Sequence, residues 1–131
     1  MYLEVRGQED SHEWHLEVWQ AAMELAVKVY QLTARFPKEE KYGLTSQMRR
    51  AAVSVPSNIA EGEGRESDKE LIQFLCHSRG SLFEMETQLE IGRQLGYSTT
   101  KDCNEIRRET ARIGQMLNGL MRSVRPTAVA G

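Results

Sequence analysis

The residues best equipped for chemistry surround an internal proline. Arg50, Ser54, Pro56, Ser57, Asn58 and Glu61 fall within the run RRAAVSVPSNIAEGEGR, residues 49–65. A guanidinium, two hydroxyls, an amide and a carboxylate could together hold a polar substrate. A proline inside a helix also frees a carbonyl and marks strain of the kind found at functional sites. The cluster lacks a convincing nucleophile with a base beside it. The structural reading is that the hydroxyls and the amide satisfy the carbonyls freed at the kink. An enzyme of unknown reaction around Arg50, Ser57, Asn58 and Glu61 is the alternative.

Other chemistries find less. A di-iron bundle needs inward-facing glutamates and Glu-x-x-His on two helices. The chain has that spacing at Glu9 and His12, near its start, while His77 has Phe74 three residues before it. An Arg shortly followed by His, as some helical ribonucleases use, occurs at Arg6 and His12, in the same polar stretch. Cys76 and His77 are sequence neighbours that point about 100° apart on a helix, so they form no dyad. Gly62 and Gly64 flank Glu63 without the preceding strand and third glycine of a dinucleotide site, and read as a helix end. No catalytic residue, cofactor, metal or small-molecule substrate is expected.

Charge gives the best functional lead. Lys101, Arg108, Arg112 and Arg122 fall on one helical face, interrupted by Glu105 and flanked by Arg107 and Arg125. From Lys101 to Arg125 there are six basic residues against three acidic ones, a net +3, in a chain whose total is −2. A nucleic-acid binder is usually far more basic overall. The face is therefore either an ordinary solvated surface or a local site for phosphates.

The elements that carry these residues are helices. Apolar residues recur at alternating spacings of three and four, and no strand-like alternation competes. The first helix ends near Phe36 and Pro37, since proline disfavours helix at the residue before it. The second, about Gly43 to Gly62, has Leu44, Met48, Ala51 and Val55 on its seam, and the heptad continues to Asn58, which is thereby expected to be buried. The third has Ser67 as N-cap with Glu70 in capping-box position. Its seam is Leu71, Leu75, Ser78, Leu82, Met85, Leu89 and Gly92. After the turn Gly96 to Thr100, the fourth carries Cys103, Ile106, Thr110, Ile113, Leu117, Leu120 and Val124. Short connections make neighbours antiparallel. The expected fold is all-α, an up-and-down four-helix bundle over residues 14–124, with a loose arm at 1–13 and a loose tail at 125–131.

The first helix has two apolar stripes: Leu16, Trp19, Met23, Ala26, Tyr30 and Thr33, and Val18, Ala22, Leu25, Val29, Leu32 and Phe36. They lie about 110° apart at 100° per residue. One core cannot use both fully, so the second stripe is either a subunit interface or the broad edge of a core-facing stripe. Phe74, Phe83 and Leu95, off the seam of the third helix, favour an interface. The candidate interface residues are Val18, Leu25, Val29, Leu32, Phe36 and Phe83.

Three blocks, FPKEEKYGLTSQ at 36–47, RRAAVSVPSNIAEGEGR at 49–65 and FLCHSRGSLFEMETQLEIGRQLGY at 74–97, closely resemble the family of 23S ribosomal RNA intervening-sequence proteins. The resemblance spans roughly Trp14 to Val124. It implies a left-handed up-and-down bundle, assembled into a ring of five subunits and encoded in bacteria. A distant relative, the accessory protein of diversity-generating retroelements, is a basic pentameric barrel that binds a reverse transcriptase and nucleic acid. The acidic balance here departs from that relative and counts against nucleic-acid binding. Repeated around a ring, however, the stripe of Lys101, Arg107, Arg108, Arg112 and Arg122 would become a basic belt able to hold phosphates.

The resulting expectation is a non-catalytic, homo-oligomeric scaffold or adaptor whose partners are itself and RNA or an RNA-handling protein. The cytoplasm is its expected location. No stretch approaches the roughly 20 apolar residues of a membrane span, and no signal peptide core is present. Cys76 and Cys103 lack paired spacing and read as reduced thiols.

Overall fold

Four helices emerge in a computed structural model that describes the backbone of residues 9–130 and the side chains of residues 15–124. They are α1 (Glu9–Thr33), α2 (Leu44–Glu63), α3 (Asp68–Gln94) and α4 (Thr100–Ala130), with a short 3-10 turn at Lys38–Glu40. No strand occurs among the described residues. Each helix packs on its two chain neighbours and α4 closes on α1, so α1 stands diagonally across from α3 and α2 from α4. The expected up-and-down arrangement is therefore present. The side chains of the expected arm and tail lie outside the described residues; helical backbone already begins at Glu9 and continues to Ala130.

The helix ends follow local chemistry. Ser67 caps α3, its hydroxyl accepting from the Glu70 N–H at 3.1 Å, as its spacing predicts. At the other end of α3, the Gly96 N–H reaches Arg93 O at 3.0 Å and the Tyr97 N–H reaches Gly92 O at 2.8 Å. That is a Schellman ending, and it requires Gly96 at φ +81°, where a Cβ is strained. Tyr97 then packs against Phe36 with ring centroids 5.4 Å apart. The Phe36 ring in turn occupies the space that a Cβ on Gly92 would need, 3.1 Å away. This aromatic stack seals one end of the bundle.

Helix α1 stops at Thr33, slightly before the expected Phe36. The Thr33 hydroxyl donates to Val29 O at 2.8 Å, and Arg49 of α2 donates to Thr33 Oγ1 at 2.8 Å and to Tyr30 O at 3.2 Å. A cation thus bonds one carbonyl directly, and the Thr33 hydroxyl that serves another, at the negative end of the α1 dipole. Arg49 is consequently a capping residue for α1.

The seams expected on α3 and α4 are buried throughout, as are Leu44, Met48, Ala51 and Val55 on α2. Two expectations need correction. Asn58 is only half-buried, and Ile59, one position on, enters the core instead. A step of four from Val55 keeps the apolar residue inside, whereas the heptad's step of three would bury an amide.

The second correction concerns α1. Val18, Leu25, Val29, Leu32 and Phe36, read as a subunit interface, are all buried in the chain's own core, with Ala22 among them. The other stripe is the one left over: Met23 and Tyr30 are exposed and Trp19 is half-buried, while Ala26 and Thr33 are buried where the stripes meet. The inner stripe is wholly aliphatic apart from Phe36, and Ala22 lets the helices approach. The outer stripe carries Trp and Tyr, whose polar ends need solvent or a partner.

Candidate functional site

Helix α4 sorts its charges by direction. On the side facing α1, Glu109 binds Lys28 at 2.5 Å and Asp102 binds Arg35 at 3.0 Å. On the side facing α3, Arg107 is paired with Glu90, which also accepts from Arg93 at 2.6 Å. Arg107 therefore leaves the candidate nucleic-acid face, because its guanidinium serves a contact between helices. The hydrogen bonds from Arg93, opposed by desolvation and supported by Gln94 and Arg107, hold the Glu90 carboxyl down to about 2. Glu109 raises the Lys28 ammonium above its ordinary value, chiefly through their hydrogen bond, with Glu24 and Glu105 adding to the field.

What remains outward is Lys101, Arg108, Arg112 and Arg122, all exposed. Glu105 shares that face but lines the hollow beside Lys28 and Arg35 at the α1 edge. The outward stripe thus has a net positive charge although the chain does not. Arg125, which flanked it in sequence, lies outside the described side chains.

The polar residues around Pro56 do not converge. Pro56 is buried inside α2. The Asn58 amide donates to Ser54 O and Ser54 Oγ, both at 2.8 Å, and Ser54 Oγ lies 2.8 Å from Ser81 Oγ of α3. Ser78 adds a buried hydrogen bond to Val55 O at 2.8 Å. These bonds tie the proline segment to α3 and use the amide locally. Ser57 and Glu61 face the opposite way, into a groove toward α1, where Glu61 pairs with Arg65 at 3.0 Å. Arg50 is exposed on a third cleft. The residues of the enzymatic alternative therefore share no single site.

That groove is a broad open concavity of about 1250 Å³. Its walls are rows spaced four apart: Trp19, Met23 and Val27 on α1, and Val53, Ser57 and Glu61 on α2. Val27 is 54% exposed. A second apolar feature lies on α3, where Phe83, Ile91 and Leu95 are exposed, Phe83 at 61%. With Thr87 they also form a row spaced four apart.

Of the remaining sequence candidates, Glu9, His12 and Arg6 lie outside the described side chains. Cys76 and Cys103 are free thiols, half-buried and buried. His77 is exposed and meets the edge of Phe74 at 6.0 Å. Gly62 is buried at close quarters with Leu71 and Phe74, and Gly64 ends α2 with its N–H on Ala60 O at 3.3 Å. No cluster of His, Cys, Asp and Glu able to hold a metal occurs among the described residues.

One feature escaped sequence reasoning. His15 near the start of α1 and Glu63 at the end of α2 are buried together, Nε2 to Oε2 3.0 Å, at 1% and 2% side-chain exposure. The contact is close without hydrogen-bond alignment. His15 lies one step of three before Val18, so the inner stripe extends to its position; what the periodicity could not signal is its pairing with Glu63, 48 residues along the chain.

Comparison with known proteins agrees with this architecture. The sequence matches the family model of the 23S rRNA-intervening sequence proteins over residues 14–119. A crystal structure of a protein of unknown function from the S23 ribosomal protein family of Bacteroides thetaiotaomicron superposes with a TM-score of 0.72. It is 22% identical, and the alignment covers 79% of this chain and 97% of that one. No curated protein gives a significant match. No described helix is long and apolar enough to cross a membrane.

Proposed function

Because the chain belongs to the 23S rRNA-intervening sequence protein family, and its broad α1–α2 groove is mostly apolar and uncovered, we propose that it works as one stave of a non-catalytic, homo-oligomeric scaffold. The observation that carries this reading is the pairing of two unlike features. One is the α1–α2 groove, and the other is the α3 row of Phe83, Thr87, Ile91 and Leu95. Rows spaced four apart are the ridges that helices interdigitate. A ridge on one face entering a groove on another makes a head-to-tail contact, which closes into a ring when the rotation allows. Five subunits is the number implied by the resemblance.

Helix α4 contributes to neither feature, so its outward cations remain available in the assembly. Their role in this reading is to bind RNA or an RNA-handling protein in the cytoplasm. Support for a non-catalytic role over an enzymatic one comes from Asn58, bonded back to Ser54, and from Arg50, which opens on a different cleft from Ser57 and Glu61.

Sedimentation velocity tests the scaffold. The wild type is expected to sediment as a closed oligomer at micromolar concentration, and Val27→Glu or Phe83→Glu should each shift it toward monomer. A wild-type monomer under those conditions overturns the reading. For the partner face, binding of duplex RNA should weaken with salt and with the double substitution R108Q/R112Q. Equal binding by that variant removes the α4 stripe as the partner site.

A further inference from the structure

A second cationic surface lies away from α4, at the turn joining α1 to α2. Here Lys41, Arg49 and Arg50 surround a cleft of about 590 Å³ that no carboxylate lines. Glu40, the acid next to Lys41 in the chain, is directed elsewhere, accepting from the Leu44 N–H at 3.0 Å and the Tyr97 hydroxyl at 2.9 Å. Those bonds, the backbone one foremost, hold its carboxyl below the usual carboxylate range. The three cations are therefore left without a compensating charge inside the cleft.

Two aromatic rings complete it. Arg49 is fixed by Thr33 and Tyr30 O and lies over the Tyr30 ring, 4.5 Å from its centroid. Tyr42 is 87% exposed, with Lys41 5.3 Å from its centroid. A tyrosine that open gains nothing from the core, yet it presents the ring face that Lys41 leaves free beside cations without a carboxylate partner in the cleft. Ser46 adds a hydroxyl to the same wall.

Cations that track phosphates and an open ring on which a base can stack are the two components of single-strand recognition. A duplex hides its base faces, and an acidic peptide has no use for the ring. We propose that this cleft binds single-stranded nucleic acid, with a base stacked on Tyr42 and the flanking phosphates on Lys41 and Arg50. Arg49 holds the wall in place. The site is independent of the α4 stripe, and either can exist without the other.

The test is fluorescence anisotropy with a labelled oligouridylate, alongside an RNA duplex, at low salt. Tyr42 lies outside the helices and is exposed, so Tyr42→Ala leaves the fold intact. It is expected to weaken oligouridylate binding by roughly 5- to 20-fold, from the loss of one stacked base, and to leave duplex binding unchanged. Tyr42→Phe, which keeps the ring, should stay within about twofold of wild type. The proposal is overturned if the wild type does not retain the oligouridylate or if Tyr42→Ala binds it as well as wild type. Equal losses in Tyr42→Ala and Tyr42→Phe also overturn it, since they point to the hydroxyl. A lowered oligomer mass for Tyr42→Ala makes Tyr42 a subunit contact and overturns it too. R108Q/R112Q separates the surfaces: if it alone weakens both probes, the α4 stripe stands and the cleft falls.

Discussion

Paired truncations on α1 test which stripe is the core. Leu25 is fully buried, packed with Val29, Met48 and Leu117 in one continuous cluster, whereas Met23 is 43% exposed on the groove. Leu25→Ala removes a side chain the surrounding helices cannot fully collapse upon, at a cost of about 3 kcal/mol within the usual range of 2–5. Unfolding entropy is about 2.1 cal/mol/K per residue, so for a chain of 131 residues a loss of 3 kcal/mol lowers Tm by roughly 10 °C. Met23→Ala gives up only the buried part of its side chain, about 1 kcal/mol or less. If Met23 contacts a neighbouring subunit, its truncation also lowers the oligomer mass at a given concentration. Thermal melts at several protein concentrations, combined with sedimentation, separate the two effects, because association makes Tm concentration-dependent. A larger concentration-independent Tm loss for Met23→Ala than for Leu25→Ala would falsify the assignment of core and surface stripes.

Ser67→Ala removes the hydroxyl that caps α3 and should lower unfolding free energy by about 1 kcal/mol, measured by urea titration. Gly96→Ala forces a Cβ into a positive-φ position and should cost about 1 kcal/mol in the same assay, with the loss confined to the α3–α4 end by amide exchange. His15→Ala empties a fully buried position at the start of the inner stripe and should lower the unfolding free energy by about 2 kcal/mol, and a change below about 0.5 kcal/mol would show that its packing contributes nothing. The Glu90 contacts carry a pH signature. Its folded carboxyl is depressed to about 2, so the stabilisation is full at neutral pH, fades as pH falls below the ordinary carboxylate value near 4.5, and is gone below about 2. Glu90→Gln should flatten that part of the acid stability profile, and an unchanged profile contradicts the network.

The bundle was legible because its signal is repetition. Seven positions on α3 and seven on α4 all recur at three-four spacing, and burial requires nothing else of them. The Ser67 cap was legible for a similar reason, since one hydroxyl and one spacing define it. What failed on α1 was a choice between two stripes of equal periodicity. Side-chain chemistry, not spacing, decided it: Trp19 and Tyr30 have polar ends, and Val18, Leu25 and Val29 have none. Asn58 failed because a heptad is an average of steps of three and four, and the chain took the step that kept Ile59 inside. Arg49 and His15 were illegible in another way. Each acts on a residue far along the sequence, Arg49 on the end of α1 and His15 on the end of α2, and no local pattern encodes such a meeting.

The total charge of the chain does not describe how its charges are distributed over the surface. A total of −2 argues against a phosphate-binding surface, yet the acids are not distributed as the total suggests. Asp102 and Glu109 turn to Arg35 and Lys28, while Arg107 turns to Glu90. As exposed or half-exposed pairs, Lys28–Glu109 and Arg35–Asp102 contribute little to stability. Their larger consequence is directional: each acid held toward α1 is an acid withdrawn from the outward face of α4. Replacing Lys28 would therefore scarcely disturb the bundle, but it would release Glu109 to lean toward Arg108 and Arg112 and weaken the field of the stripe. The same logic operates at the other end of the molecule, where Leu44 and Tyr97 hold Glu40 away from Lys41 and Arg50. In both places the hydrogen bonds that close the fold also decide which cations face the solvent uncompensated, so structural contacts and the surface available to an anionic partner are set by one arrangement.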